Sequence, residues 1–298
     1  YTLNYRPQMA TIRPRVMAMP ERVDGRVGRV VPFTPDLVEE DIVTKILRFV
    51  PDRDSNKSNL AFADVVVAAE DAEIAVAAAV LRAEGETDVT PVRVDLRTAE
   101  GVDALYSATS ADGRPLAAVA LNAGHGQGGP FVDTDLADEL SIIDLNVTST
   151  VRLAKLVLRD MVARDEGRVL VTSSIASTMP GSFQAVYNAS KSFLQSFTEA
   201  LQDELKDTGV TLTSLMPGPT DTDFFERADM AEDTKVGTSK KDDPAQVARQ
   251  GFDALMAGKA RVVGGGLTTK VQEAAGKAMP DRLKAAVHRR MAEPGSGD

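Results

Sequence analysis

Cysteine is absent from the 298 residues. Its absence removes disulfides, thiolate nucleophiles and cysteine-ligated zinc, and it fits a reducing compartment. Histidine occurs only as His125 and His288, which excludes a multi-histidine metal site. A serine hydrolase would have to use one of these two, and no G-x-S-x-G sequence is present. No uninterrupted apolar run approaches the ~20 residues of a membrane span. The formal net charge of -10 disfavours a nucleic acid or an anionic membrane as main partner, because such binding needs clustered Lys and Arg. No secretory apolar region follows Tyr1, and the chain reads as cytoplasmic. One further absence is local: no glycine occurs between Gly28 and Gly85.

Against these absences, 43% of the residues are apolar, enough for a sizeable core. From residue 61 onward, short apolar runs alternate with helical stretches. Strands are predicted at 64–69, 89–96, 116–121, 168–174, 211–218 and 260–265, and helices at 70–84, 98–110, 134–163, 185–207 and 244–257. Asp243-Pro244 is a start signal for the last of these helices. The alternation predicts an α/β fold, a doubly wound parallel sheet covered on both faces. The residues with chemistry fall at the carboxyl ends of the strands, where ligands bind in such sheets. Asp95 and Leu96, Asn122 to Gly124, Ser174, and Pro217 and Gly218 all do so.

Tyr187 and Lys191 stand four residues apart in YNASK, on one helix face, with Ser174 thirteen residues upstream. A phenol beside an ammonium and a hydroxyl is a proton-transfer site. The ammonium is expected to stabilise the phenolate and lower the tyrosine pKa from its reference near ~10. Ser173 competes with Ser174 for the hydroxyl role, and the thirteen-residue offset favours Ser174.

Taken together, Asp95, the Asn122-Ala123-Gly124 turn, Asn146, Ser174, Tyr187 with Lys191, and the turn Pro217-Gly218-Pro219-Thr220 resemble the short-chain dehydrogenase/reductase family in order and spacing. The resemblance covers about residues 61–265. It implies a nicotinamide-dependent oxidoreductase that interconverts a carbonyl and an alcohol. Tyr187 would be the general acid or base. Lys191 would bind the nicotinamide ribose, and Ser174 would hold the substrate oxygen. Asn146 would anchor a water in a relay to Lys191. Asp95 and Leu96 would meet the adenine, Asn122, Ala123 and Gly124 would line the cofactor, and Pro217, Gly218 and Thr220 would approach the nicotinamide amide. By the same resemblance the chain would form a homodimer or homotetramer through the helices at 134–163 and 185–207. Plainer readings stand beside these: Asp95 as a helix N-cap, Asn146 bonded locally, and His125 as a solvated loop residue.

The pattern fails at the front. A glycine-rich turn after the first strand normally lets the backbone approach the cofactor's pyrophosphate. Here the corresponding region reads ILRFVPDRDSNKSNLAFADVVV, with Asp52 and Asp54 where phosphates would sit. Residues 1–60 are therefore set apart from a Rossmann-type domain over 61–298. Either 29–33 is a substitute first strand followed by a helix begun at Thr34-Pro35, or 45–50 is the strand, or the segment is foreign to the fold and joined to it. If nothing fills the first strand's central place, the sheet has a hole.

Acidic residues after the 64–69 strand, Glu70 and Asp71, lean the cofactor toward NAD over NADP, since a carboxylate there accepts from ribose hydroxyls; Asp71 as a helix cap is the alternative. Phe224, Phe225, Met230, Met179 and Phe183 suggest a lid over an apolar carbonyl or alcohol. The basic stretch 281–293 reads as a solvated terminal helix, with contact to a membrane surface as the other possibility. Set against the enzyme reading is a catalytically silent member of the fold, a binding or scaffold protein with impaired cofactor binding.

Overall fold

Two parallel sheets carry the fold. The computed structural model describes residues 65–69, 74, 75, 78, 79, 89–110 and 113–297, all in the unit Ser58–Asp298. The substitute strands considered at 29–33 and 45–50, and the acidic pair Glu70 and Asp71, lie outside the described residues.

Strand β1 (Val65–Ala69) pairs in parallel with β2 (Val89–Arg93). Pro91 lies inside β2. Proline cannot donate to a ladder, which suits a strand with one unpaired edge, as β2 has among the described residues. The second sheet has the order β3 (Ala118–Leu121), β4 (Gly167–Thr172), β5 (Val210–Pro217), β6 (Arg261–Gly264), all parallel. The described strands thus fall into two ladders, β1-β2 and β3-β4-β5-β6, with a break between them. Among the described residues no strand lies between β1 and β3, and the far edge of β3 pairs with none. The break falls where the missing first strand was expected.

Both faces of the second sheet are covered, so apolar residues of β4 and β5 are buried on either side. Val169 and Val171 of β4 turn to one face, with Val210 and Leu212 of β5. There they meet Ala154, Val157, Leu158 and Met161 of α3 (Ser149–Ala163) and Leu194 of α4 (Ala185–Glu204). Leu170 and Leu215 alternate to the other face and meet Val247 and Leu255 of α7 (Pro244–Met256). Each such side chain contributes roughly 1.5–3 kcal/mol when fully buried.

The helix ends follow the sequence. Thr98 precedes α1 (Ala99–Ser110), and its hydroxyl accepts from Gly101 N at 3.0 Å. Thr98, not Asp95, is therefore the N-cap there. Asp135 caps α2 (Leu136–Ile142), and Asp243 caps α7 with Pro244 in the first turn. The single helix predicted over 134–163 is three pieces: α2, a π-helical turn Ile143–Thr148, and α3. A π-turn adds a residue to the helical repeat and re-aims what it carries. This one carries Asn146. Short helices α5 (Phe224–Arg227) and α6 (Lys235–Thr238) follow β5. Helices α8 (Leu267–Ala278) and α9 (Asp281–Ala292) close the chain. No helix among the described residues is long and apolar enough to cross a membrane.

Candidate active site

A cavity of about 900 Å³ opens at the carboxyl ends of the strands. Its wall includes Asp95 and Leu96 after β2, Asn122, Ala123 and Gly124 after β3, and Ser174 after β4. Tyr187 and Lys191 of α4 join them, with Pro217, Gly218 and Thr220 after β5. Every described residue singled out for chemistry or cofactor contact lines this space except Asn146, which is fully buried behind it.

Tyr187 and Lys191 share a helix face, as their spacing requires. The Lys191 ammonium is buried, donates to Thr172 O at 2.9 Å, and lies 5.8 Å from the Tyr187 ring centroid. Burial takes Lys191 down to about 8. Burial also pushes Tyr187 up to about 12, against the opposing pull of a hydrogen bond with the Ser174 side chain. This reverses the expected direction: desolvation of the phenolate outweighs the pull of the Ser174 side chain, and at neutral pH the phenol keeps its proton. The Ser174 hydroxyl also accepts from Ala176 N at 3.1 Å and donates to Pro217 O at 3.4 Å. Its rival Ser173 is turned inward, where its hydroxyl donates to Lys191 O at 3.0 Å. The two serines thus divide the work: Ser173 anchors α4 and Ser174 faces the phenol.

Asn146 clamps a neighbouring main chain. Its Oδ1 accepts from His125 N at 3.0 Å, and its Nδ2 donates to His125 O at 2.9 Å and to Ser190 Oγ at 3.0 Å. These partners stand 21 and 44 residues away in sequence, so the contacts are not the local bonding considered for a mid-helix asparagine. The clamp brings Gly124 so close that an added Cβ would lie 2.9 Å from Asn146 Oδ1 and 3.3 Å from Lys191 Nζ. A side chain at 124 would push into the centre of the site. His125 is tied in as well, with its Nε2 2.8 Å from Ser141 Oγ.

The side chains expected at the outer part of the cofactor are already engaged within the chain. Both Asp95 carboxylate oxygens take bonds from Arg97 at 2.9 Å, and these hold the carboxyl below its usual range. Asn122 Oδ1 accepts from Thr172 Oγ1 at 2.8 Å, and Thr220 Oγ1 donates to Gly218 O at 2.9 Å.

Of the residues expected in a lid, Met179, Phe224 and Phe225 line the cavity, and Phe224 lies 5.1 Å from Tyr187, ring to ring. Met230 does not line it; it is fully buried in a cluster with Phe225, Ala228, Val236 and Ala292, against which Phe183 also packs. The terminal helix is not simply solvated. α9 buries His288 and Ala292 and presents Val287, His288, Met291 and Ala292 to the cavity. Gln184, at the start of α4, lines it too. Sequence reasoning missed Gln184 and His288 in this role. The one available signal was the position of Gln184, three residues before Tyr187.

Which cofactor half these residues fit can be judged from the wall. The described residues offer the Lys191 ammonium, the Asn122 to Gly124 turn and the Pro217 to Thr220 turn, which suit a nicotinamide ribose and amide. No glycine-rich phosphate cradle occurs among them.

Comparison with known proteins agrees with this geometry. The family described as short chain dehydrogenase matches residues 60–233. Ketoacyl reductase HetN of Nostoc sp. is 31% identical over 146 residues, 49% of each chain. A short-chain dehydrogenase from Sphingobium yanoikuyae, solved in complex with NADPH, superposes with a TM-score of 0.62 at 24% identity, covering 67% of this chain and 77% of that one. A different similarity stands beside these: protein FixB of Azorhizobium caulinodans is 71% identical over 68 residues, 23% of this chain and 18% of FixB. The chain thus spans less than a fifth of FixB and about half of the reductase.

Proposed function

Because the chain belongs to the short-chain dehydrogenase family, we propose that it interconverts a carbonyl and an alcohol with NAD or NADP, Tyr187 acting as general acid in reduction and general base in oxidation. The observation that carries this is the gathering of Ser174, Tyr187 and Lys191 on one cavity wall, with the buried Lys191 ammonium 5.8 Å from the Tyr187 ring centroid. A bound nicotinamide would supply or accept the hydride. The chain's own residues do the rest. Ser174 donates to the substrate oxygen and holds it beside the phenol. In reduction the phenol, protonated at neutral pH, gives its proton to that oxygen. Lys191 lowers the cost of the phenolate left behind. Asn146 acts as a positioning residue, because its amide holds the His125 main chain and keeps Gly124 against Lys191. Apolar side chains at the outer end, Met179, Phe224 and Phe225, suit an apolar substrate.

One observation favours a second reading, a catalytically silent chain. The sheet is interrupted between β1 and β3, and the glycine turn that should follow the strand in that place is absent from the sequence. The FixB similarity suggests the origin. Residues after 233 supply β6 and the α9 wall of the cavity, so they serve the dehydrogenase fold. That leaves the N-terminal stretch for the FixB-like sequence. The chain would then be a join between a FixB-like segment and a dehydrogenase that begins at its second strand. Titration with NADH and NADPH, followed by their fluorescence, separates the two readings. Saturable binding below millimolar concentration is expected for the enzyme; no binding of either would leave the silent reading.

A further inference from the structure

Helix α9 is tied to the loop just before the catalytic helix. His288 Nδ1 lies 2.9 Å from Ser182 O, and Ser182 Oγ donates to Ala285 O at 3.4 Å. Arg289 stacks over the Phe183 ring, 5.0 Å from guanidinium carbon to centroid. Phe183 has φ of 65°, a left-handed conformation that a bulky side chain rarely adopts. Strain of this kind persists only where the surroundings fix it, and it is concentrated at binding sites. Its effect here is local: the next residue, Gln184, starts α4 with its side chain buried at the cavity wall.

Two polar groups on that wall have no protein partner among the described residues. One is the side-chain amide of Gln184. The other is Nε2 of His288, whose ring is only 8% exposed and lines the cavity. The chemistry of Nε2 follows from the other nitrogen. Ser182 O can only accept, so Nδ1 carries the proton and Nε2 of the neutral ring is an acceptor. Burial holds the ring below its ordinary pKa, which keeps it neutral. Around these groups the wall is Met179, Val287 and Met291. In such a wall an acceptor open to the cavity selects for a donor, because an apolar ligand that covers it takes away its water and leaves it unpaired.

We propose that Gln184 and His288 Nε2 form a polar subsite that recognises a hydroxyl on the substrate, remote from the reacting carbonyl. The hydroxyl donates to His288 Nε2 and accepts from the Gln184 amide. The substrate class is then an apolar hydroxyketone or the corresponding diol. This rests on the carbonyl reading above for the other end of the molecule.

The test uses ligand binding to the full chain, with 4-hydroxybenzophenone and benzophenone as probes. Because the protein has two histidines, selective ¹⁵N labelling gives two ring spin systems, and the one lost in His288→Phe is assigned to His288. The expected result is that 4-hydroxybenzophenone binds about tenfold tighter than benzophenone and shifts the Nε2 resonance, as a matched buried donor requires. His288→Phe should remove that preference while leaving benzophenone affinity within about twofold. Gln184→Leu, which leaves the Ser182 tie intact, should weaken the preference by itself. Equal affinity for the two ketones, an unmoved Nε2 resonance, or no binding of either overturns the proposal. None of these readouts needs turnover or cofactor, so a chain that fails to bind NADH and NADPH fails the reductase reading without deciding this one.

Discussion

The Lys191 ammonium donates to the main-chain carbonyl of Thr172 across 2.9 Å, fastening the second turn of α4 to the last residue of β4. The bond holds the charge on the Tyr187 side of the cavity wall in a buried setting.

The first prediction follows from that burial. Lys191 ionises at about 8 in the folded chain and near its ordinary 10.5 when unfolded. A depressed folded pKa means that its contribution to stability is fully present above 10.5 and is lost as pH falls through 8. Unfolding free energy measured by denaturant between pH 7.5 and 10.5 should therefore rise relative to Lys191→Met, by up to ~3 kcal/mol. A flat difference across that window would contradict the assignment.

Replacing Tyr187 with Phe removes the proton donor and little else. Turnover with a carbonyl substrate should fall by about 10²–10⁴, while nicotinamide affinity stays within about twofold. Steady-state kinetics beside a binding titration decides this, and retained turnover would show that another group moves the proton.

Gly124→Ala tests the close approach behind the cavity. The new methyl would stand 2.9 Å from Asn146 Oδ1 and 3.3 Å from Lys191 Nζ, and neither atom can retreat without losing its own bonds. A loss of ~1–3 kcal/mol in stability is expected, with turnover reduced more than KM is changed. Asn146→Ala should cost a similar ~1–3 kcal/mol, because the buried His125 amide and carbonyl lose their partner. Chemical denaturation of both variants measures these losses.

Self-association should run through α2 and α4. Leu136, Leu140 and Ile143 recur at helical spacing and are exposed, as is Phe193, which stacks on Phe197 at 5.8 Å. An exposed apolar stripe of this length is an association surface. Sedimentation velocity should show the wild type as a dimer or tetramer and Leu140→Asp shifted to smaller species.

The join proposed for the N-terminal stretch makes its own prediction. Replacing residues 1–60 with a strand, glycine-rich turn and helix of the family should raise NADPH affinity by at least about tenfold. An unchanged affinity would show that the missing turn is not what limits binding.

Much of this was legible in the sequence because the signals are local. Alternating apolar character in RVLVT and TLTSL placed β4 and β5, and Asp243-Pro244 marked the start of α7. The four-residue step from Tyr187 to Lys191 put both on one face, and strand ends gathered the remaining site residues along one cavity. What escaped depends on contacts between distant segments. The π-turn at Asn146 has no composition of its own and is fixed by the His125 clamp. The direction of the Tyr187 shift is set by how much of the chain covers it, which spacing does not encode. His288 stands 101 residues beyond Tyr187, on a helix whose basic composition reads as surface. Asp95 lines the cavity as its place after β2 suggests, but its carboxylate is committed to Arg97, a pairing that the sequence reading did not include.

The interruption between β1 and β3 has a consequence for how the molecule opens. In a continuous sheet, hydrogen bonds across the centre make all strands exchange their amide protons as one cooperative unit. Here the β1–β2 pair shares no ladder with β3 to β6 among the described residues, so the side of the cavity that carries Asp95 and Leu96 is expected to open while the side that carries Ser174 and Tyr187 stays shut. Amide exchange would resolve two rates: fast for Val65–Ala69 and Val89–Arg93, slow for Gly167–Thr172 and Val210–Pro217. The chemistry would then reside in the slow-exchanging half, and recognition of the cofactor's far end in the labile one.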